Sequence, residues 1–559
     1  MFSRVKKVLF SFLLTLSYCF CYGQDGVAST QHTIDSLDRI QPEAFVRIKP
    51  QGSVFILEVR SQKEFERLNE ALAQAIEAGE TNIRVKISKG IYRFKENQIS
   101  LKGIRKDVAI SIVGKKAVLT SCPDLKDADN NPWQEMIQMD DIIQVLDKDK
   151  KLCRIPYSNQ WNYETRNSMT RVQVTQWFRA PVYDVERIDD KGIYFIANDL
   201  QWEDGYAYKG YNVNFDYLYA GKHPRFRLYD KRKAVTAISS CFLRMENTEG
   251  VSFEMSGFIV KGNKSGAPLI AMSNVKSQQV YIHDCTFERI HYNVGDFSNV
   301  SNVTFSRNKV RYTDGNELRF VSNCENVRVT NNTFEQSGQS IGNTFCVTCW
   351  ESSYYIANNT FSDFSYGAIG VGVWHGFEKK YYSGGIIEYN EIFYKPAYLA
   401  KCMKHTLMDS GSIYFWTRND GVIIRNNYIH DYSGAGDNRG IFCDDGANNL
   451  KIYKNIILNI PNSYCIDSRY VYDKDNKFNC NSNNLMAYNI VDNGIRFQGY
   501  DGEERHCGKG RNFVLKMIEQ EFNPKMVYER LEMNEEDSIV SQKWVKARIK
   551  TIKNKIINK

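Results

Sequence analysis

One asparagine keeps returning at the same place in a short pattern, and its spacing narrows the possible folds more than anything else in this 559-residue chain. The pattern is apolar–x–apolar–x–x–Asn–x–apolar. Val303, Phe305, Asn308 and Val310 fit it, as do Val327 to Phe334, Val422 to Ile429 and Leu450 to Ile457, with looser copies ending at Phe361, Ile392 and Val491. Two earlier copies, Val251 to Phe258 and Val280 to Phe287, lack the asparagine. The asparagines are Asn308, Asn332, Asn359, Asn390, Asn427, Asn455 and Asn489, at successive intervals of 24, 27, 31, 37, 28 and 34 residues. A minimum in the low twenties with a variable excess suits a coil of three short strands and one elastic loop. Coils of that kind gain a continuous core only by stacking. Asparagines at one turn of each coil then lie about 4.8 Å apart, within hydrogen-bond reach along the stack. Their expected role is structural.

A stack has open ends that expose apolar side chains and unpaired backbone, so a cap is required. Phe65 to Ile76 places Leu68, Leu72 and Ile76 at helical spacing, with Gly79 as a stop signal. Strand-like segments follow at Ile83 to Ile87, Gly90 to Phe94 and Val108 to Val113. This helix-then-strands start resembles the N-terminal cap of pectin-lyase-like β-helices. Residues 123–233 break the pattern. They are rich in Tyr and Trp, and their strand-like pieces at 171–178, 192–196 and 226–229 read as a β-rich insertion. After Gly499 the character turns helical, and from Lys543 it is basic. The expected fold is all-β: a right-handed parallel β-helix solenoid with an N-terminal capping helix, a β-rich insertion and a helical C-terminal cap. The expected divisions are 1–23 signal peptide, 24–50 linker, 51–122 cap and first coils, 123–233 insertion, 234–499 main solenoid and 500–559 C-terminal cap with its tail.

The leader assignment rests on Arg4, Lys6 and Lys7 ahead of the apolar run Val8 to Leu16, with small residues at Cys21 and Gly23 before Gln24. That run is too short for a membrane span, and no later segment is long and apolar enough to be one. Export to the periplasm or the cell exterior is the expectation. A net charge of +8, dispersed over this length, argues against a nucleic-acid partner. Of fourteen cysteines, Cys19 and Cys21 fall in the leader, leaving twelve. Cys285 and Cys443 occupy positions where a small interior residue belongs, and Cys346 with Cys349 forms a lone C-x-x-C read as structural. No metal ligand set, phosphate loop, dinucleotide fingerprint or serine-hydrolase elbow is present.

Alternation along the strands then selects a face. In SIYFW, Ile413 and Phe415 point inward, so Tyr414 and Trp416 point out. In GIFCDDG, Ile441 and Cys443 point in, and Phe442 and Asp444 point out. Trp416 and Asp444 each lie eleven residues before a repeat asparagine, which makes them neighbours on successive rungs. The same parity turns out Trp374, then Asp467 with Arg469, then Arg496 with Gln498. Asp444 and Asp467 are 23 residues apart, about one short coil. Flat aromatic rings suit the C–H faces of sugars, and carboxylate pairs suit glycosidic hydrolysis. Asp409, Asp444, Asp445 and Asp467 are the catalytic candidates. Trp374, His375, Trp416, Arg469, Arg496 and Gln498 are the substrate-binding candidates. Asp-Asp-Gly at a strand end is also ordinary turn chemistry.

The stretch Met408 to Asn459 resembles the central coils of β-helix glycoside hydrolases, including β-helix xylosidases and fucosidase/xylanase-type enzymes. The resemblance implies catalytic carboxylates at Asp409, at Asp444 or Asp445, and at the position of Asp467. The expected activity is hydrolysis of an exported chain's polysaccharide or oligosaccharide substrate, without a cofactor. Two alternatives share the scaffold. One is a polysaccharide lyase or uronate epimerase, which would draw on Arg469, Arg496 and His375 and could use Ca²⁺. The other is a non-catalytic glycan-binding solenoid. The oligomeric state stays open.

Overall fold

In the computed structural model the described residues are 33–40, 42, 52–130, 137–138, 144–147, 150–156, 169–175, 182–197 and 225–231. They continue as 241–263, 266–338, 344–372, 384–398, 410–416, 419, 421–433, 438–444, 447–460, 464–468, 484–491, 494–497, 503–505 and 550. The expected signal peptide lies outside them; of the expected helical C-terminal cap only Glu503–Arg505 and Lys550 are described, and Glu503–Arg505 is a strand that pairs in parallel with Leu485–Ala487.

The chain is a parallel β-solenoid of about 11 turns. Each turn contributes strands to three sheets, and each strand pairs in parallel with its counterpart one turn later. The first sheet runs from Ile99–Lys102 through Leu243 onward in Leu243–Lys261, Ile270–Lys276, Gly295–Val300 and so on to Ser410–Trp416, Asn438–Asp444, Ile466–Ser468 and Ile495–Phe497. The second begins at Phe55–Val59 and Asn82–Ile87 and continues through Gln279–His283 to Lys451–Tyr453, Leu485–Ala487 and Glu503–Arg505. The third begins at Ile91–Arg93 and runs through Thr286–Glu288 to Ile456–Leu458 and Ile490–Val491. Inward residues form one continuous apolar column, including Ile112, Met255, Ile282, Phe305, Val329 and Ile356, all of them buried. Phenylalanines stack within it: Phe334 and Phe361 lie 4.9 Å apart at 4°.

The asparagine ladder stands at the corner between the second and third sheets. Each Oδ1 accepts the backbone N–H of the ladder residue one turn earlier, at 2.8 Å for Asn308 to Asn332 and 3.0 Å for Asn359 to Asn390. Each Nδ2 donates to a strand carbonyl one turn earlier, as Asn332 does to Phe305 at 2.9 Å. The residue before each rung takes a left-handed conformation, with φ 59° at Asn331, 56° at Tyr389 and 55° at Lys454. A left-handed residue between two extended ones turns the chain sharply, and Asn tolerates that conformation better than most side chains. Hence the doublets Asn331-Asn332, Asn358-Asn359 and Asn426-Asn427. The ladder asparagines are buried, so their amides replace backbone partners that water cannot supply there.

The cap forms as two helices, Gln62–Glu66 and Leu68–Glu77, broken at Arg67. Ser61 and Glu64 make a reciprocal capping box, and Phe65, Leu68 and Leu72 close the apolar column. The chain leaves the stack after Thr120 and returns at Leu243. Between them, seven antiparallel strands form a separate sheet that includes Met169–Thr175, Gly192–Ile196 and Arg225–Asp230. The nine described cysteines are all buried and none is in a disulfide. Cys346 and Cys349 both belong to the apolar column.

The region expected as a linker holds a helix at 33–38. It packs Ile34 and Leu37 on the outer face of the second sheet, against Tyr355, Ile386 and Ile423. Beneath it, Arg425 and Glu388 form an ion pair at 2.6 Å with both side chains fully buried. Arg425 also donates to the carbonyls of Leu37 and Ile40, and Asp38 pairs with Lys454 at 2.6 Å. Two charges removed from water persist only with such complete pairing. The apolar signal was short, Ile34 and Leu37 alone, and the charges that complete the contact are supplied by residues about 390 positions away.

Glu317 is a second buried acid. It accepts from Thr313 at 3.1 Å and from Ser337, while its Oε2 has no partner among the described residues. Burial pushes its carboxyl up to about 7. The folded state therefore holds this proton across the range in which the unfolded chain, with an ordinary Glu near 4.5, has lost it. Stability contributed at this site is full below about pH 4.5 and falls as pH rises towards 7. Glu317→Gln is expected to flatten that fall and to raise stability at pH 8 by roughly 1–2 kcal/mol. Urea unfolding midpoints at pH 5 and pH 8 measure it.

Candidate functional site

The outer face of the first sheet, over the turns from Phe345 to Arg496, concentrates the chemistry. Its register follows from the pairing of Ile369, Ile413, Ile441, Ile466 and Ile495 in the core. One outward row reads Gly370, Tyr414, Phe442, Asp467 and Arg496. A second, two residues further along each strand, reads Trp350, Gly372, Trp416 and Asp444.

Glycines shape this face. A Cβ on Gly370 would lie 2.7 Å from the Phe345 ring, and one on Gly367 would lie 2.4 Å from it. The bare backbone of this turn therefore makes a hollow that Phe345 fills. Around it gather Tyr366, Tyr414, Trp416 and Phe442, with Trp350 at the edge. Trp416 meets Trp350 edge-on at 5.8 Å and lies tilted by 53° to Tyr414 at 4.3 Å, and Tyr414 meets Phe442 edge-on at 4.9 Å. Edge-to-face contacts at these separations are favourable and hold the rings in fixed orientations. Trp416 is only 7% exposed. The rings expected to stand free on the outer wall are thus a second, external apolar cluster.

Asp444 sits at the margin of that cluster, 8% exposed, directly opposite Trp416. The Tyr414 phenol reaches diagonally across the rung and donates to Asp444 Oδ2 at 2.5 Å. A carboxylate flanked by indole and phenol rings, and oriented by a phenol, can exchange a proton with a bound hydroxyl or bridging oxygen.

Asp467 differs from its expected position. It pairs with Phe442, so 25 residues rather than 23 make up this turn, and Asp467 stands in the row of Tyr414 rather than that of Asp444. It is fully buried. Arg439 donates to its Oδ2 at 3.0 Å, and Arg496 donates to Oδ1 at 2.8 Å and to Oδ2 at 2.6 Å. Arg439, itself buried, lies 4.1 Å over the Phe442 ring, and Arg496 lies 4.2 Å over Tyr464. Both carboxylate oxygens are therefore occupied by guanidinium groups that rest on aromatic faces. Burial without exposure and a double ion pair make Asp467 a brace for the sheet edge, not an acid open to substrate. Arg439 was not anticipated. It precedes GIFCDDG by a single residue and shows no motif, and only the rung pairing reveals that it meets Asp467.

Asp409, Asp445, Trp374, His375, Arg469 and Gln498 lie outside the described residues. Among the described residues no group of three or more His, Cys, Asp or Glu side chains could hold a metal ion.

No family model and no curated protein matches the sequence. Among solved structures, the chain is similar to one described as a glycoside hydrolase, at 9% identity over 80% of this chain and 91% of that one, with a TM-score of 0.39. It is also similar to a Yersinia enterocolitica family 28 exopolygalacturonase, at 11% identity over 82% and 79%, with a TM-score of 0.28. A Streptococcus pneumoniae surface protein and adhesin matches at 11% identity over 80% and 85%, with a TM-score of 0.32. At these identities and scores none of them bears on activity.

Proposed function

We propose that this chain is an exported carbohydrate-active enzyme, a glycoside hydrolase whose reacting carboxylates gather on the outer face of the first sheet. The observation that carries the reading is the Asp444 carboxylate, nearly buried beside Trp416 and oriented by the Tyr414 phenol. Hydrolysis of a glycosidic bond needs one carboxyl group to protonate the leaving oxygen and a second to attack or to activate water. Asp444 takes one of these roles. Asp409 or Asp445, both adjacent in sequence to strands of this face, takes the other. Asp467 acts through position, tying Arg439 and Arg496 to the edge of the sheet. The exposed part of Arg496, with its side chain 26% accessible, supports a contact with a sugar hydroxyl or carboxylate.

A lyase on the same face is the second reading, favoured by the one observation that Arg496 could neutralise a uronate carboxylate next to Asp467. The two reactions leave different products. Incubation with a panel of neutral and acidic plant and host glycans is expected to release reducing ends with no new ultraviolet absorbance. Growth of an absorbance characteristic of unsaturated uronates, abolished by a calcium chelator, transfers the assignment to the lyase. Release of neither product from any glycan rejects both.

A further inference from the structure

The second sheet carries its own trough, on a different wall of the solenoid and at the opposite end from Asp444. Its origin lies in side-chain length along two outward rows. The first reads Arg84, Ser111, Glu254 and Tyr281, and the second reads Lys86, Val113, Ser256 and His283. The two middle rungs carry short side chains at three of four positions, while the rungs before and after them carry long or aromatic ones. Lys86 and His283 are three rung steps apart, about 14 Å at the usual strand spacing. The result is a depression of about 610 Å³ whose rim also includes Arg60 and Lys115. That volume lies within the range of ordinary ligand sites.

Its two ends differ in chemistry. At one end Arg84 and Lys86, with Lys115 on the next rung, have no ion pair among the described residues, and the Arg60–Glu58 pair beside them is largely exposed. At the other end the polar groups are pre-arranged. His283 contacts Glu254 through Nε2 at 3.0 Å and Asp284 through Nδ1 at 2.7 Å, and it stacks on Tyr281 at 4.1 Å. Arg307 clamps Asp284 at 2.7 and 2.9 Å and donates to the Tyr281 hydroxyl at 3.1 Å. The Glu254 carboxylate therefore has a fixed orientation and remains 24% exposed towards the trough. Ser111 and Ser256 supply hydroxyls on the floor.

We propose that this trough is a second saccharide-binding site, selective for acidic sugars, distinct from the face that bears Asp444. The cationic end takes a carboxylate or sulfate group of the glycan. Glu254 and the floor serines take ring hydroxyls, and the His283 ring, held by its stack on Tyr281, closes the far end. An extended acidic chain held here stays tethered while another part of it meets the first sheet. The site raises the local concentration of substrate without taking part in bond cleavage.

The test is calorimetric titration of the full chain at low salt with three probes: oligogalacturonate, a short dextran sulfate and neutral dextran of matched length. Binding by one or both acidic probes, and not by neutral dextran, is expected. A preference between the two acidic probes tells carboxylate from sulfate recognition. The double substitution Arg84→Glu with Lys86→Glu is expected to weaken binding at least tenfold. Ser111→Trp fills the trough without changing charge and is expected to do the same, while Asp444→Asn leaves affinity for the acidic probe within a few-fold. Equal binding of neutral dextran, no binding of either acidic probe at millimolar concentration, or unchanged affinity in both trough variants overturns the proposal. A loss of binding in Asp444→Asn alone overturns it as well, by moving the site to the first sheet.

Discussion

Asp444→Asn is expected to lower kcat on the responsive glycan by at least a thousandfold while leaving the circular dichroism spectrum unchanged. The amide matches the carboxylate in size and can still accept the Tyr414 phenol proton, so the aromatic cluster keeps its packing. What it loses is the capacity to give or take a proton, which for a catalytic carboxyl is worth several factors of ten. Tyr414→Phe separates orientation from proton transfer. It removes the hydrogen bond but keeps the ring, and it is expected to cost about ten- to a hundredfold with KM little changed. Asp467→Asn should behave differently. It weakens a double ion pair, so its main effect is expected in thermal stability. A residual kcat within tenfold of the parent in Asp444→Asn removes this residue from the reaction.

Asn390→Ala is expected to destabilise the protein by roughly 3–5 kcal/mol, read as a lower urea midpoint with little change in slope. Four hydrogen bonds meet on this one buried amide. Oδ1 accepts from the backbone N–H and the Nδ2 of Asn359, both at 3.0 Å, and Nδ2 donates to the Ile356 carbonyl and to Asn427 Oδ1, also at 3.0 Å. Alanine leaves the Asn359 N–H without an acceptor in a place water does not reach, and that orphaned group dominates the cost. The exposed asparagines of another corner make a control. Asn299 donates to Asn274 at 2.9 Å, and Asn274 donates to Asn247 at 3.2 Å, with all three near solvent. Asn274→Gly keeps the left-handed backbone, φ 53°, that this position adopts. Its expected cost is below about 1 kcal/mol, since water replaces the lost partners.

The ladder was legible in the letters because one residue type, at one corner, meets the same need in every turn. Strand parity was legible for the same reason: Ile413 with Phe415, and Ile441 with Cys443, can face only the core, so Trp416 and Asp444 had to share the outer wall. Counting back from the ladder worked for these two because few residues intervene between them and Asn427 or Asn455. The 23-residue step from Asp444 failed for Asp467, because this turn takes 25 residues and sets Asp467 beside Phe442 instead. Nor could alternation tell an outward ring that meets solvent from one that packs under its neighbours. That depended on glycines at 367 and 370, whose missing side chains admit Phe345 from a different turn. The helix at 33–38 was hidden because its partners are contributed by strands near the other end of the chain.

That helix has a consequence for how the molecule comes apart. In a plain stack each turn touches only the next, so damage to one rung can spread outward or stop there, and the ends can fray one at a time. Here the helix at 33–38 is fastened to rungs built from residues 355–487, while the strand Phe55–Val59 starts the opposite end. Peeling the early turns therefore pulls on late ones, and a linear pile behaves more like a buckled belt. During synthesis the tongue of that belt emerges long before its buckle exists, so the last fastening waits for nearly the whole chain.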